Sequence, residues 1–116
     1  MHRRLVLATC LCLAAACRGG DTDPQPATNQ LYDVFTVGDA FSPSSLMIAV
    51  GDTVRFNFTA GSDAMGHDVT FRATPGAPAN INVQKSGTAS RVFGTRGSFH
   101  YDCFVHPGMQ GDVIVQ

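Results

Sequence analysis

The chain has 116 residues, of which 44% are hydrophobic and 15% are charged, and its formal net charge is −1. This length accommodates one small domain with additional segments at the ends. The nearly neutral charge excludes the strongly basic surface of a typical nucleic-acid-binding protein, so no nucleic-acid partner is expected. The 9 acidic residues are all aspartates, and a glutamate general acid or base is therefore excluded.

Residues 1–16 have the pattern of a signal peptide. Arg3 and Arg4 precede an apolar run, residues 5–16, which is shorter than the about 20 residues needed to cross a bilayer. The run ends in small residues followed by Cys17, and this junction resembles a bacterial lipobox, whose cysteine is lipidated. We therefore expect an exported, periplasmic-side lipoprotein that contacts the membrane only through Cys17. Ordinary signal cleavage is the alternative.

Residues 17–30 are predicted to form the lipidated N-terminus and a flexible tether. They are polar, rich in Gly, Pro, Asp and Thr, and show no apolar periodicity. Such a coil would span roughly 20 Å, which is enough to hold a domain away from a membrane surface. The folded domain is predicted to cover residues 31–116.

Only one of the four cysteines lies in that domain. Cys10 and Cys12 belong to the signal peptide and Cys17 carries the predicted lipid, so Cys103 remains alone. A single thiol in an oxidising compartment cannot form an internal disulfide, and an exposed one is open to oxidation. Cys103 therefore needs another role.

The domain shows short β-type runs separated by turn residues. The candidate strands are residues 32–37, 45–50, 53–59, 67–71, 81–84, 90–93, 98–103 and 112–116. Val54, Phe56 and Phe58 alternate with polar residues in the third run, and Phe99 and Tyr101 do so in the seventh, which gives each strand one buried face. The pattern predicts an all-β fold, either a sandwich or a small barrel, of about 7–8 strands.

The segment CFVHPGMQG, residues 103–111, contains three candidate metal ligands in one loop between two strands: Cys103, His106 and Met109. His67, at the start of another strand, is a fourth candidate. A thiolate, a thioether and imidazoles, with no carboxylate, favour copper over Mg, Ca or Mn. Two His and one Cys with a weak axial Met form the blue-copper electron-transfer site.

Three segments resemble the cupredoxin family of the plastocyanin and amicyanin type: residues 41–58, 64–71 and 97–115. The resemblance implies a Greek-key β-sandwich with one type 1 copper ion. It also implies the ligands His67, Cys103 and His106, with Met109 axial.

Two polar residues near these candidates need separate interpretations. The family commonly has Asn after its first ligand His, where this chain has Asp68. The Asp68 carboxylate either lowers the reduction potential or only accepts hydrogen bonds from the ligand loop. His100 is predicted to point outward into solvent and to bind no metal.

The predicted function is non-enzymatic: a monomer that shuttles single electrons between redox proteins, which dock on a patch around His106 and Pro107. A periplasmic copper carrier without an electron-transfer role is the alternative. A Cys–His nucleophilic enzyme is disfavoured, because Cys103 is expected to face inward and no orienting partner is evident. A binuclear copper centre would need a second Cys in the loop.

Overall fold

The computed structural model describes residues 28–61 and 63–116, which form nine strands and no helix. The strands are β1 Leu31–Val37, β2 Ala40–Ser42, β3 Ser45–Ile48, β4 Thr53–Phe58, β5 His67–Phe71, β6 Ile81–Gln84, β7 Gly87–Val92, β8 Gly97–Asp102 and β9 Gln110–Val115. No membrane-crossing helix is found in these residues. The predicted signal peptide, Cys17 and most of the predicted tether lie outside the described residues.

The strands form two sheets, which confirms the predicted all-β sandwich. One sheet has the order β2-β1-β4-β7 and the other has the order β3-β9-β8-β5-β6. β8 lies between β5 and β9 and is antiparallel to both. The beginning of β5 and the connection from β8 to β9 therefore lie at the same end of the sandwich.

The strand β2 was not predicted from the sequence pattern. This strand pairs with β1 through a hairpin in which Val37 opposes Ala40, so that Gly38 and Asp39 alone form the turn. Gly38 has φ of 56°, a left-handed conformation that glycine adopts without steric cost. A Gly-Asp pair between two β-type runs is a hairpin signal, but β2 itself has only three residues.

The core lies between the two sheets and is rich in aromatic rings. Phe56 and Tyr101 come from opposite sheets, and their ring centroids lie 5.3 Å apart in an edge-to-face arrangement. The predicted inward residues of β4 and β8 are all buried, and Cys103 and Met109 belong to the same buried cluster. The candidate ligands therefore extend one end of the core.

Gly111 allows β8 and β9 to pack closely at this end. It is paired with Tyr101 across the two strands, and a Cβ atom at Gly111 would lie 2.3 Å from the Tyr101 ring. A side chain at position 111 would therefore displace that ring. The absence of a side chain at position 111 therefore lets β9, which begins just after Met109, lie close to β8, which ends just before Cys103.

Candidate metal centre

Three of the four predicted ligands converge at this end of the sandwich. His67 is the first residue of β5, Cys103 follows the last residue of β8, and His106 lies in the loop before β9. One donor atom from each of the three residues lies within 4.8 Å of the other two. The Cys103 Sγ atom is 3.6 Å from Nδ1 of His106, and the two imidazole ring centroids are 4.7 Å apart.

The ligand loop, residues 103–109, is closed by its own backbone. The N–H of Cys103 donates to the carbonyl of Met109 at 2.8 Å, and the N–H of Met109 donates to the carbonyl of His106 at 3.0 Å. Gly108 has φ of 90°, which favours glycine at this turn. The fourth predicted ligand, Met109, is buried and is tied through its backbone to both Cys103 and His106.

Asp68 joins the ligand loop to β5. Its Oδ1 atom accepts hydrogen bonds from the backbone N–H groups of Phe104 at 2.8 Å and Val105 at 3.2 Å. The Cys103 thiol donates to the same oxygen at 3.3 Å, and the hydroxyl of Thr70 donates to Oδ2 at 2.9 Å. These bonds agree with the interpretation of Asp68 as an acceptor of loop hydrogen bonds.

Burial shifts the pKa of the Cys103 thiol and of the His67 imidazole. Burial raises the pKa of the Cys103 thiol, and the neighbouring Asp68 carboxylate adds to the rise. Burial also lowers the pKa of His67, and the proximity of His106 adds to that change. A buried thiol with a raised pKa is a poor nucleophile at neutral pH, which weighs against a Cys–His nucleophilic enzyme.

The donor atoms fit a soft metal ion. Among the residues that the structure describes, neither ring nitrogen of His67 has a hydrogen-bond partner, although both are buried. Leaving a buried polar group unpaired costs about 1–3 kcal/mol, and a metal ion bound to the imidazole lone pair offsets this cost at one of the two nitrogens. One thiol that can ionise and two imidazoles, with the buried Met109 in the same loop, match copper.

Two aspartates that the sequence analysis did not single out lie beside His106. Nε2 of His106 is within hydrogen-bond distance of Oδ2 of Asp63, and Oδ1 of Asp39 is 3.7 Å from the same nitrogen. The pKa of Asp63 is lowered, chiefly because its carboxylate accepts the N–H of Met65 and secondarily because of His106. The position of Asp63 in an irregular loop before His67 gave no sign of this pairing.

His100 lies apart from the candidate ligands. It is partly buried on the outward face of β8, as predicted, and its ring nitrogens lie 2.8 Å from Asp112 and 3.3 Å from Asp102. The imidazole is therefore held between two carboxylates rather than fully solvated.

Known proteins share this fold and part of this sequence. No family model matches the chain. Amicyanin-alpha of Methylorubrum extorquens is 29% identical over 79 residues, and the match covers 66% of this chain and 64% of that protein. The structure of the reduced Cu(I) form of an amicyanin variant at pH 4 is 31% identical, with a TM-score of 0.63, and covers 74% of this chain and 82% of the other.

A Cu-containing nitrite reductase from Thermus scotoductus SA-01 also shares the fold. It is 28% identical with a TM-score of 0.62, and the match covers 73% of this chain but 22% of the reductase. The two-sheet sandwich with a Cys–His–His group at one end thus defines a small copper protein. The chain belongs to the cupredoxin family and is of the amicyanin type. Its cofactor is one copper ion, which the donor atoms fit.

We predict that the Asp68 carboxylate protects the amides of the ligand loop. In Asp68→Ala, exchange of the Phe104 and Val105 amide hydrogens is expected to accelerate about 10–100-fold, since a hydrogen bond to a charged group contributes about 1.5–3 kcal/mol. Asp68→Asn is the matched control, because its amide oxygen can accept the same bonds. Hydrogen exchange followed by NMR measures both, and unchanged rates in Asp68→Ala would contradict the assignment. Equal reduction potentials in wild type and Asp68→Asn would exclude tuning by the charge.

Proposed function

We propose that this protein is an exported electron carrier whose copper ion is bound by His67, Cys103 and His106, with Met109 as a weak axial ligand. The observation that carries the proposal is the convergence of donor atoms from Cys103 and His106 on the imidazole of His67, whose ring nitrogens have no hydrogen-bond partner among the described residues. Bound copper supplies a one-electron Cu(II)/Cu(I) couple. The protein residues hold the donor atoms in place and exclude water.

A rigid, closed centre supports electron transfer rather than copper delivery. His67, Cys103 and Met109 are buried, and the loop that carries two of them is bonded to itself and to Asp68. Such a centre is suited to holding both oxidation states with little rearrangement, whereas a copper carrier has to release its metal. Because the proposed centre uses its side chains to hold the metal, we also propose that the chain is not an enzyme.

Electrons are proposed to leave through the face that carries His106. The side chain of His106 is 12% exposed, whereas His67 is 1% exposed. Pro107 is exposed beside His106, Phe104 adds an exposed apolar side chain in the same loop, and Met65 adds another in the loop before β5. A small apolar patch of this kind suits brief encounters between a monomeric carrier and its redox partners.

The first test of this function is the visible and electron paramagnetic resonance spectrum of the full-length protein loaded with Cu(II). We expect an intense blue band that bleaches on one-electron reduction, because a thiolate bound to Cu(II) in a His₂Cys site gives a blue centre. Cys103→Ser is the control, and it should lose the band while keeping the other three cysteines. A colourless or weakly coloured product would contradict the proposal.

Electron self-exchange between oxidised and reduced copies tests the docking patch without requiring an identified partner. Pro107→Glu should slow self-exchange about tenfold, which corresponds to about 1.4 kcal/mol of lost encounter free energy. It places a charge in the apolar patch of both copies. Val92→Glu is the matched control. Val92 is exposed and pairs with Thr53, the first residue of β4, at the end of that strand away from the loop that leads to His67. NMR line broadening measures the rate, and equal rates in the two variants would place docking elsewhere.

Residues 1–30 are proposed to export and anchor the domain. The support is the signal-like pattern of residues 1–16 and the small residues before Cys17. In a bacterial host, intact mass measurement of the membrane fraction should find an N-terminal, acylated Cys17, and Cys17→Ser should remove the protein from that fraction. An unmodified N-terminus at another residue would favour ordinary signal cleavage.

A further inference from the structure

The outward-facing nitrogen of His106 has a carboxylate partner. Nδ1 of His106 is 3.6 Å from Cys103 Sγ and faces the candidate ligand group. Nε2, on the other side of the ring, is within hydrogen-bond distance of Oδ2 of Asp63. The contact is well enclosed, since the two side chains are 12% and 19% exposed. The two nitrogens of this imidazole therefore have separate partners.

Asp63 is itself held in place from the other side. Its Oδ1 atom accepts the backbone N–H of Met65 at 2.6 Å, so one carboxylate links the loop before β5 to the ligand loop. Within residues 28–61 and 63–116, His106 is the only ion-pair partner of Asp63, and no Lys or Arg neutralises its charge. Asp39 contributes a second carboxylate 3.7 Å from Nε2, but its side chain is 75% exposed.

A carboxylate at this place has two physical consequences. An ionised carboxylate only accepts hydrogen bonds, so Nε2 has to carry the proton and Nδ1 is left with its lone pair. A histidine that donates its other N–H to a carboxylate is fixed in orientation and becomes a more basic metal ligand. A negative charge near the metal also favours its more positive oxidation state, and this effect is larger in an enclosed site than in water.

We propose that Asp63 is the positioning residue for His106: it fixes the Nε2–H tautomer, aims Nδ1 at the copper, and stabilises Cu(II) relative to Cu(I). The inference rests on the proposed role of His106 as a ligand. Asp63 thereby lowers the reduction potential of the centre. Asp39, at a longer distance and in contact with solvent, contributes only a screened charge.

The reduction potentials of Asp63→Asn and Asp39→Asn provide the first test. Both variants remove one negative charge near Nε2, but only Asp63 makes the enclosed contact. We expect Asp63→Asn to raise the ratio of the Cu(II) to the Cu(I) dissociation constant about tenfold, which is a positive shift of 59 mV for a one-electron couple. This shift should persist at about 1 M salt, where the Debye length is about 3 Å, while any shift in Asp39→Asn should vanish.

The tautomer of His106 provides a second test that needs no copper. In the metal-free, full-length protein, ¹⁵N chemical shifts should identify the Nε2–H form in wild type and in Asp39→Ala, and a mixture of tautomers in Asp63→Ala. A wild-type tautomer in Asp63→Ala, or equal salt-dependent shifts of potential in the two Asn variants, would overturn the proposal. Failure to form a blue centre would instead overturn the proposed function, and the tautomer would still decide the role of Asp63.

Discussion

The connection from β8 to β9 is the constraint on which the centre depends. Cys103 leaves β8 and Met109 enters β9, so the pairing of these two strands fixes both ends of the loop. The hydrogen bond between their backbones closes the loop, and Asp68 ties its middle to β5. Because the loop is short, the side chain of Cys103 has to enter the core while His106 remains at the surface. The difference in burial between the candidate ligands Cys103 and His106 is therefore a consequence of strand pairing.

Because they differ in burial, the candidate ligands would have different roles. In the proposed centre, the buried Cys103, His67 and Met109 would exclude water and limit rearrangement when the copper changes its oxidation state. His106 would combine contact with the metal and partial exposure, and its outer nitrogen contacts Asp63. An incoming redox protein would then meet an imidazole edge and apolar neighbours beside a carboxylate. Both the copper potential and the access of a redox partner would then depend on His106.

Strand alternation and the spacing of Cys103 and His106 are local signals, so the sequence was sufficient for the fold class and for the ligand loop. His67 lies far from that loop in the sequence and was joined to it by the type of its side chain and by the resemblance. The resemblance to cupredoxins supplied the ligand set and drew attention to Asp68. Local patterns did not reveal β2, since three residues carry almost no alternation. They also did not reveal the contact of Asp63 with His106. These residues are 43 positions apart, and their meeting depends on the paths of two irregular loops that no periodicity describes.

The central claim is that one copper ion is bound by one thiolate and two imidazoles in both oxidation states. X-ray absorption at the copper edge, measured on the oxidised and on the reduced protein, tests it most directly. The account predicts one short copper–sulfur distance and two copper–nitrogen distances that change little on reduction, as a rigid electron-transfer site requires. A copper environment of nitrogen and oxygen alone, or loss of the thiolate or of an imidazole between the two states, would contradict it.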